Sequence, residues 1–207
     1  MSTSSVKRLL VTAHYHAKGI LCRALPASKK LLPSFMIIGA QKAGTTSMFD
    51  YLVSHPQVLK PWFKETDFFN RRRMFSSREY QSLARYRSLF PLAWSAARRA
   101  AKLERPVITG EASQYLSYPE VPGRIREMLP STKFIVLLRD PADRAYSHYS
   151  MRVRYGWEQQ SFTEAFHRED VDKAMAETST YKYRGLYATH LEQWFSIFPR
   201  DRFLIIE

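Results

Sequence analysis

Short apolar segments recur along the chain and alternate with longer segments in which apolar residues have helical spacing. The apolar segments are unalternating and rich in Ile, Val, Leu and Phe, which is typical of parallel strands buried on both faces. They predict strands at 35–38, 57–60, 106–109, 133–138 and 202–207. The segments between them predict helices at 45–54, 78–101, 120–128, 141–154, 161–168 and 185–197.

This alternation of strands and helices predicts an α/β fold in which a P-loop-like parallel sheet is flanked by helices. The segment 170–184 is polar, and we expect it to be a mobile surface loop. The chain ends at Glu207, directly after the last apolar run, whereas sheets of this kind usually continue into covering helices. We therefore expect the fold to lack its C-terminal portion.

Composition and charge divide the chain into a basic segment at 1–33, predicted to be a leader or peripheral segment, and one domain at 34–207. The 207 residues suit a single α/β domain. The first 34 residues contain six basic residues and no acidic one, within a net charge of +13. A single cysteine excludes an internal disulfide, and no apolar run approaches the ~18 residues of a membrane-spanning helix. A surface this basic attracts anions: nucleotides, nucleic acid, acidic lipid or acidic polysaccharide.

The segment GAQKAGTTS at 39–47 joins the first predicted strand to the first predicted helix. Glycines allow a tight turn, and the first N–H groups of the helix favour a bound phosphate or sulfate. Gly39 and Gly44 have the spacing of the nucleotide-binding Walker A motif. However, Thr45 stands where that motif has its lysine, and Lys42 lies two residues before Gly44 instead. The segment predicts an anion-binding loop, and an ordinary strand–turn–helix connection is the alternative.

A second candidate anion site follows the predicted strand 133–138. Arg139 lies at its C-terminal edge, where ligands bind in open α/β sheets. Its guanidinium can fork two N–H groups onto a phosphate, and Ser147 can donate a further hydrogen bond. Two alternatives stay open: Arg139 pairs with Asp143, or Asp140 is a Walker B carboxylate that holds magnesium.

The two motifs GAQKAGTTS and RDPADRAYSHY (139–149) together resemble the sulfotransferases that use 3′-phosphoadenosine 5′-phosphosulfate. Among them, the chain is similar to the Golgi carbohydrate sulfotransferases that act on glycosaminoglycans. The heparan sulfate N-sulfotransferase domain and the chondroitin N-acetylgalactosamine-4-sulfate 6-O-sulfotransferase are the members it resembles. The resemblance covers about residues 34–207, and further segments contribute to it: KETDFF (64–69), YRSLFP (86–91), GEASQYL (110–116) and the run 185–207.

The resemblance implies a role for each matched position. The donor's 5′-phosphosulfate would be held by the loop residues Lys42, Ala43, Gly44, Thr45, Thr46 and Ser47. Arg139 and Ser147 would hold the 3′-phosphate, which distinguishes this donor from ATP. Lys42 matches the family's catalytic lysine, which would neutralise charge on the leaving phosphate. No metal is expected in this chemistry.

Glu65 matches the carboxylate proposed as the catalytic base in the N-sulfotransferase domain, where it would accept the proton of a sugar hydroxyl or amine. A surface ion pair between Glu65 and Lys64 or Lys60 is the alternative. The other candidate bases, His148, His190 and Glu111, match this role less well.

The acceptor implied by the resemblance is an acidic polysaccharide. Arg71, Arg72 and Arg73 follow the candidate base and could bind its sulfates or carboxylates, although a run of charge is more often a solvated face. Tyr115 could stack on a sugar, although buried aromatic residues are commoner. No nucleic-acid recognition motif is present. The resemblance also implies the Golgi lumen or membrane, although no anchor or signal is evident, and the sequence does not indicate an oligomeric state.

Two other functions are compatible with the sequence. The first is a non-catalytic truncated relative that binds nucleotide or polysaccharide without turnover, and the abrupt C-terminus favours it. The second is a P-loop kinase, which the position of Lys42 disfavours.

Overall fold

The computed structural model describes residues 26–70, 82–171 and 180–207. Five strands occur in chain order: β1 (Phe35–Gly39), β2 (Val58–Leu59), β3 (Ile108–Ala112), β4 (Lys133–Leu137) and β5 (Phe203–Ile206). Seven α-helices lie between them in the described residues: α1 (Thr45–Ser54), α2 (Leu83–Arg87), α3 (Ala93–Leu103), α4 (Val121–Met128), α5 (Pro141–Arg154), α6 (Phe162–Arg168) and α7 (Tyr187–Phe195). Short 3₁₀ helices are formed by Ala27–Lys29, Tyr183–Gly185 and Arg200–Arg202.

The five strands form one sheet in the order β2-β3-β1-β4-β5, and each neighbouring pair is parallel. The central strand is β1, where Phe35 is opposite Gly110 on one side and Lys133 on the other. The predicted α/β fold with a parallel sheet flanked by helices is therefore confirmed. This order brings the C-terminal ends of β3, β1 and β4 together at one edge.

The core lies on both faces of the sheet, which explains the unalternating strands. All five residues of β1 are buried. Met36 and Ile38 pack on one face in a cluster with Phe134 and Trp194. Phe35 and Ile37 pack on the other face, where α1 contributes Phe49. Because the side chains of a strand alternate between faces, a strand between two cores must be apolar at every position.

The third strand begins and ends later than the predicted range 106–109, because its C-terminal half does not look apolar in sequence. Gly110 faces the ring of Phe35, and a Cβ built there would lie 2.4 Å from that ring. The side chain of Glu111 is fully buried by polar contacts described below. Both residues continue the strand although their types are common in turns and on surfaces.

Two predicted segments differ from the structure. The helix expected at 78–101 is two helices, α2 and α3, with Pro91 between them; residues 78–81 lie outside the described residues. Proline has no N–H and ends a helix that would otherwise continue. The mobile loop expected at 170–184 is wrong for residues 180–184, because Thr180, Tyr181 and Arg184 are buried. Residues 172–179 lie outside the described residues.

Residues 1–25 of the expected leader lie outside the described residues. In the described residues, no helix combines the length and the apolar character that crossing a membrane requires.

Candidate active site

The loop between β1 and α1 leaves the start of α1 open to a ligand. Gly44 is the N-cap residue, with φ of 91°, and no side chain caps the helix. The first N–H groups of a helix have no partner within it, and they carry partial positive charge. Lys42 also has a left-handed backbone, with φ of 71°. The residues present therefore fit the anionic end of a phosphosulfate, since they offer backbone N–H groups, hydroxyls and one lysine at the same turn.

Arg139 joins the second motif to this loop. One guanidinium nitrogen donates to the carbonyl of Lys42 at 3.5 Å, across 97 positions of sequence. Another lies 3.4 Å from a carboxylate oxygen of Asp143, so the alternative pairing is also present. The guanidinium remains accessible, because 43% of the side chain is exposed. The hydroxyl of Tyr187 donates to the carbonyl of Arg139 at 3.0 Å and fixes the backbone there.

Asp140 has a structural role in the neighbouring helix. Its Oδ1 accepts hydrogen bonds from the amides of Ala142 and Asp143, both at 2.9 Å, which makes Asp140 the N-cap of α5. The same oxygen is not free to hold magnesium as a Walker B carboxylate would. Ser147 lies in the second turn of this helix and is half-buried.

The candidate base Glu65 lies beside the phosphate loop. The ammonium of Lys64 donates to the hydroxyl of Thr46 at 2.6 Å and to Oε1 of Glu65 at 3.3 Å. The ion pair expected as an alternative therefore forms with Lys64. It does not remove Glu65 from consideration as a base, because 47% of its side chain is exposed. Through the ammonium of Lys64, the carboxylate of Glu65 is linked to the hydroxyl of Thr46 in the loop.

A buried polar network holds the segment that carries Glu65. Ser113 Oγ accepts the amides of Thr66 and Asp67 at 3.1 and 3.2 Å. The amide of Phe68 donates to the hydroxyl of Tyr115 at 3.0 Å. The amide of Ala112 donates to the carbonyl of Lys64 at 3.1 Å. The end of β3 and the residues after it therefore fix the backbone of 64–68.

Glu111 lies at the centre of this network. Its carboxyl accepts hydrogen bonds from the hydroxyls of Thr66 and, at 2.9 Å, Tyr86. Burial raises the pKa of Glu111 to about 7, and the hydrogen bonds from Thr66 and Tyr86 oppose that rise. Because Glu111 has no exposed surface, it does not reach an acceptor and is not the base.

A cleft of about 460 Å³ opens beside the loop and the candidate base. Its walls come from four parts of the chain: the loop, the segment after Lys64, the end of β3, and the region from α5 onward. The lining residues are Gln41, Glu65, Asp67, Asn70, Gln114, Tyr118, His148, Met151, Arg152, Trp157 and Arg184. A cleft of this volume suits a small ligand or part of a larger one.

Polar atoms without hydrogen-bond partners among the described residues concentrate in this cleft. They include Oε1 of Gln41 and Gln114, Nδ1 of His148 and Nε of Arg152, all of them buried. Buried polar atoms normally have a partner, so these atoms indicate a polar ligand. Burial lowers the pKa of His148 to about 3, with Arg184 and Arg144 contributing, so its ring is neutral at pH 7. Among the described lining residues, Arg152 and Arg184 are the cations of the cleft.

The structure separates the expected acceptor residues. Arg71, Arg72 and Arg73 lie outside the described residues. Tyr115 is fully buried, and its hydroxyl binds Phe68 and Thr66, so the expectation that its ring stacks on a sugar is wrong. The ring is enclosed because it packs edge-on against Phe69 in the core.

The other two candidate bases are also positioned by the core. His148 is buried against the ring of Tyr181. His190 is buried, and its Nε2 lies 2.8 Å from the carbonyl of Tyr183. Sequence reasoning gave no binding role to Gln41, Gln114, Arg152, Trp157 or Arg184. Gln41 and Gln114 lie in the segments GAQKAGTTS and GEASQYL, each two residues after the end of a strand, a position at which a binding role could have been predicted.

Comparisons with known proteins agree with this fold. A family model described as "Sulfotransferase domain" matches residues 32–207. The crystal structure of a sulfotransferase from Alicyclobacillus acidocaldarius is 30% identical in sequence, with a TM-score of 0.63. The match covers 84% of this chain and 72% of that one.

Curated relatives include two heparan sulfate enzymes. The bifunctional heparan sulfate N-deacetylase/N-sulfotransferase 3 of Homo sapiens is 30% identical over 188 residues, which are 85% of this chain and 20% of that protein. The heparan sulfate glucosamine 3-O-sulfotransferase 3A1 of Mus musculus is 32% identical over 189 residues, which are 91% of this chain and 44% of that protein. The chain thus spans less than half the length of either relative.

Proposed function

Since the chain belongs to the sulfotransferase domain family, we propose that it transfers a sulfuryl group from 3′-phosphoadenosine 5′-phosphosulfate to a hydroxyl or amine of a glycosaminoglycan-type carbohydrate. The observation that supports this most is the contact between Arg139 and the carbonyl of Lys42. This contact joins the residue proposed to bind the 3′-phosphate to the loop proposed to bind the 5′-phosphosulfate, at one sheet edge and beside a polar cleft.

The donor site is assembled from the loop and the start of α5. The helix N–H groups and the hydroxyls of Thr45, Thr46 and Ser47 bind the 5′-phosphosulfate, and Arg139 and Ser147 bind the 3′-phosphate. The donor supplies the sulfuryl group, whose bond from sulfur to the bridging phosphate oxygen breaks as a bond from sulfur to the acceptor atom forms. Lys42 stabilises the negative charge left on the phosphate oxygen.

The acceptor site is the cleft next to Glu65. The carboxylate of Glu65 takes the proton that the acceptor hydroxyl or amine loses. Arg152 and Arg184 offer positive charge to the sulfates or carboxylates of an acidic polysaccharide. The names of the two heparan sulfate relatives support this acceptor class. We also propose a Golgi location, because the resemblance implies it for enzymes that act on this class of acceptor.

An assay of sulfuryl transfer to desulfated heparin, with the product detected by mass spectrometry, tests the proposal. Lys42→Ala should lower kcat by ~10²–10³, the usual loss when a charge-stabilising group is removed. Glu65→Gln should lower it by ~10²–10⁴, since the proton then has no base. Both variants should keep the melting temperature of the wild type.

Lys60→Ala is the matched control, because Lys60 is an exposed lysine just before the segment that carries Glu65. It should retain the wild-type rate. Full turnover by Lys42→Ala with an unchanged melting curve would contradict the role given to Lys42. Donor binding without transfer to any carbohydrate acceptor would favour the non-catalytic relative.

A further inference from the structure

Lys64 connects two parts of the molecule that the proposed reaction uses separately. Its ammonium lies 2.6 Å from the hydroxyl of Thr46 in the phosphate loop and 3.3 Å from Oε1 of Glu65. The side chain is largely enclosed, with 22% exposed. Its backbone carbonyl accepts the amide of Ala112, at the end of β3. The position of this lysine is therefore set by the sheet and is not that of a freely moving surface residue.

The distance to Thr46 places the ammonium within reach of a bound anion. An anion oxygen that accepts the Thr46 hydroxyl lies ~2.8 Å from it, and the ammonium cannot then be more than ~5.4 Å from that oxygen, the sum of the two separations. An ammonium has three donors. Two are used by Thr46 and Glu65. The third is available to an oxygen between the loop and the carboxylate.

We propose that Lys64 is a second cation of the donor site and contacts the transferable sulfuryl end of the donor, while it keeps the Glu65 carboxylate next to that end. This inference rests on the proposed function. Lys42 and Lys64 then have different tasks. Lys42 neutralises the phosphate that leaves, and Lys64 binds the oxygens of the sulfuryl group that moves and orients the base that receives the proton.

The charges around Lys64 support this division. Glu65 and Asp67 both line the cleft on this side, and each repels an incoming anionic group. An ammonium between Glu65 and the loop separates the carboxylate from the donor. It attracts both the carboxylate and the sulfuryl oxygens, which would otherwise repel each other. An uncharged residue at this position would leave Glu65 facing the sulfuryl oxygens directly.

A displacement calorimetry experiment without magnesium and without acceptor tests the inference through binding alone. The probes are 3′-phosphoadenosine 5′-phosphosulfate and 3′-phosphoadenosine 5′-phosphate, which differ only in the sulfuryl group. Lys64→Met should weaken binding of the phosphosulfate about tenfold, the loss expected for one charge-assisted hydrogen bond. It should weaken binding of the phosphate only about two- to threefold, because the lost contact is to the sulfuryl oxygens.

Three further variants complete the design. Lys64→Arg should keep most of the preference for the phosphosulfate, since it restores a cation. Arg139→Ala should weaken the binding of both probes by the same factor, because both carry the 3′-phosphate. Lys60→Met should change the affinity for neither probe. If Lys64→Met melts below the wild type, Lys64→Gln, which keeps a polar end, replaces it.

The outcomes separate this inference from the proposed function. Equal affinities of Lys64→Met and the wild type for both probes, with Arg139→Ala weakened, would reject the role of Lys64 and leave sulfuryl transfer standing. Equal weakening of both probes by Lys64→Met would reject the contact with the sulfuryl group. A wild type that binds neither probe would reject the proposed function and this inference with it.

Discussion

The carboxyl group of Glu111 has no access to water, and the hydroxyls that surround it determine where the candidate base lies. Thr66, which follows Glu65, donates to Glu111 and also contacts the hydroxyl of Tyr115 at 3.0 Å. A glutamate next to a glycine, just after the predicted strand 106–109, suggests a solvent-facing position, and the sequence gives no sign of the buried hydroxyls of Thr66 and Tyr86 that make its burial tolerable. Its partners come from segments 25 to 45 positions away.

Glu111 should make the stability of the protein depend on pH. Its pKa is about 7 when folded and 4.5 as the ordinary value. Between these two pH values the unfolded chain releases a proton that the folded chain keeps. The free energy of unfolding therefore falls as pH rises from about 4.5 to about 7, and the loss is complete above the folded pKa. The total is about 3 kcal/mol.

Urea unfolding of the wild type and Glu111→Gln at several pH values measures this effect. The stability of the wild type relative to Glu111→Gln should decrease across the window, because the amide does not titrate. Glu127→Gln, at an exposed position of α4, should follow the wild type at every pH. Parallel curves for the wild type and Glu111→Gln would show that Glu111 keeps an ordinary pKa.

At the scale of elements, the apolar runs predicted the sheet because each strand is buried by helices on both faces. The runs 35–38 and 133–138 match β1 and β4 within one residue. The third strand could not be delimited in this way, since Gly110 and Glu111 belong to it for reasons of close packing and buried hydrogen bonding. Helix periodicity likewise continued across Pro91, although α2 ends at Arg87 and α3 begins at Ala93.

Gly110 should not tolerate a side chain, because β3 packs closely against β1 at this position. A Cβ at this position would lie 2.4 Å from the ring of Phe35, on the central strand. Gly110→Ala should therefore destabilise the protein by ~1–3 kcal/mol, the cost of overpacking a core. Chemical denaturation measures it.

The control for that substitution is Gly123→Ala. Gly123 lies within α4, and a Cβ there would meet nothing within 4 Å. Alanine has the higher helix propensity, so this variant should gain ~0.5–1 kcal/mol. Equal stability of Gly110→Ala and the wild type would contradict the close approach of β3 and β1.

For the whole molecule, the two segments proposed to bind the donor were predictable from sequence, and the cleft proposed to bind the acceptor was not. The loop at 39–47 and Arg139 are local patterns after strands, and a parallel sheet brings such positions to one edge. The cleft joins side chains from distant segments, such as Gln41, Trp157 and Arg184. No local pattern marks such a set. The net charge of +13 indicates an anionic ligand without saying where it binds.

The phosphate loop and Arg139 are proposed to form a site for a 3′-phosphorylated nucleotide. Binding calorimetry without magnesium, comparing 3′-phosphoadenosine 5′-phosphate with ADP, tests it most directly. In such a site Arg139 would form charge-assisted hydrogen bonds only with the 3′-phosphate, so the first ligand should bind at least about tenfold more tightly. Arg139→Ala should remove that preference. Equal binding of the two ligands, or binding of ADP that requires magnesium, would contradict the account, and the second result would favour a kinase.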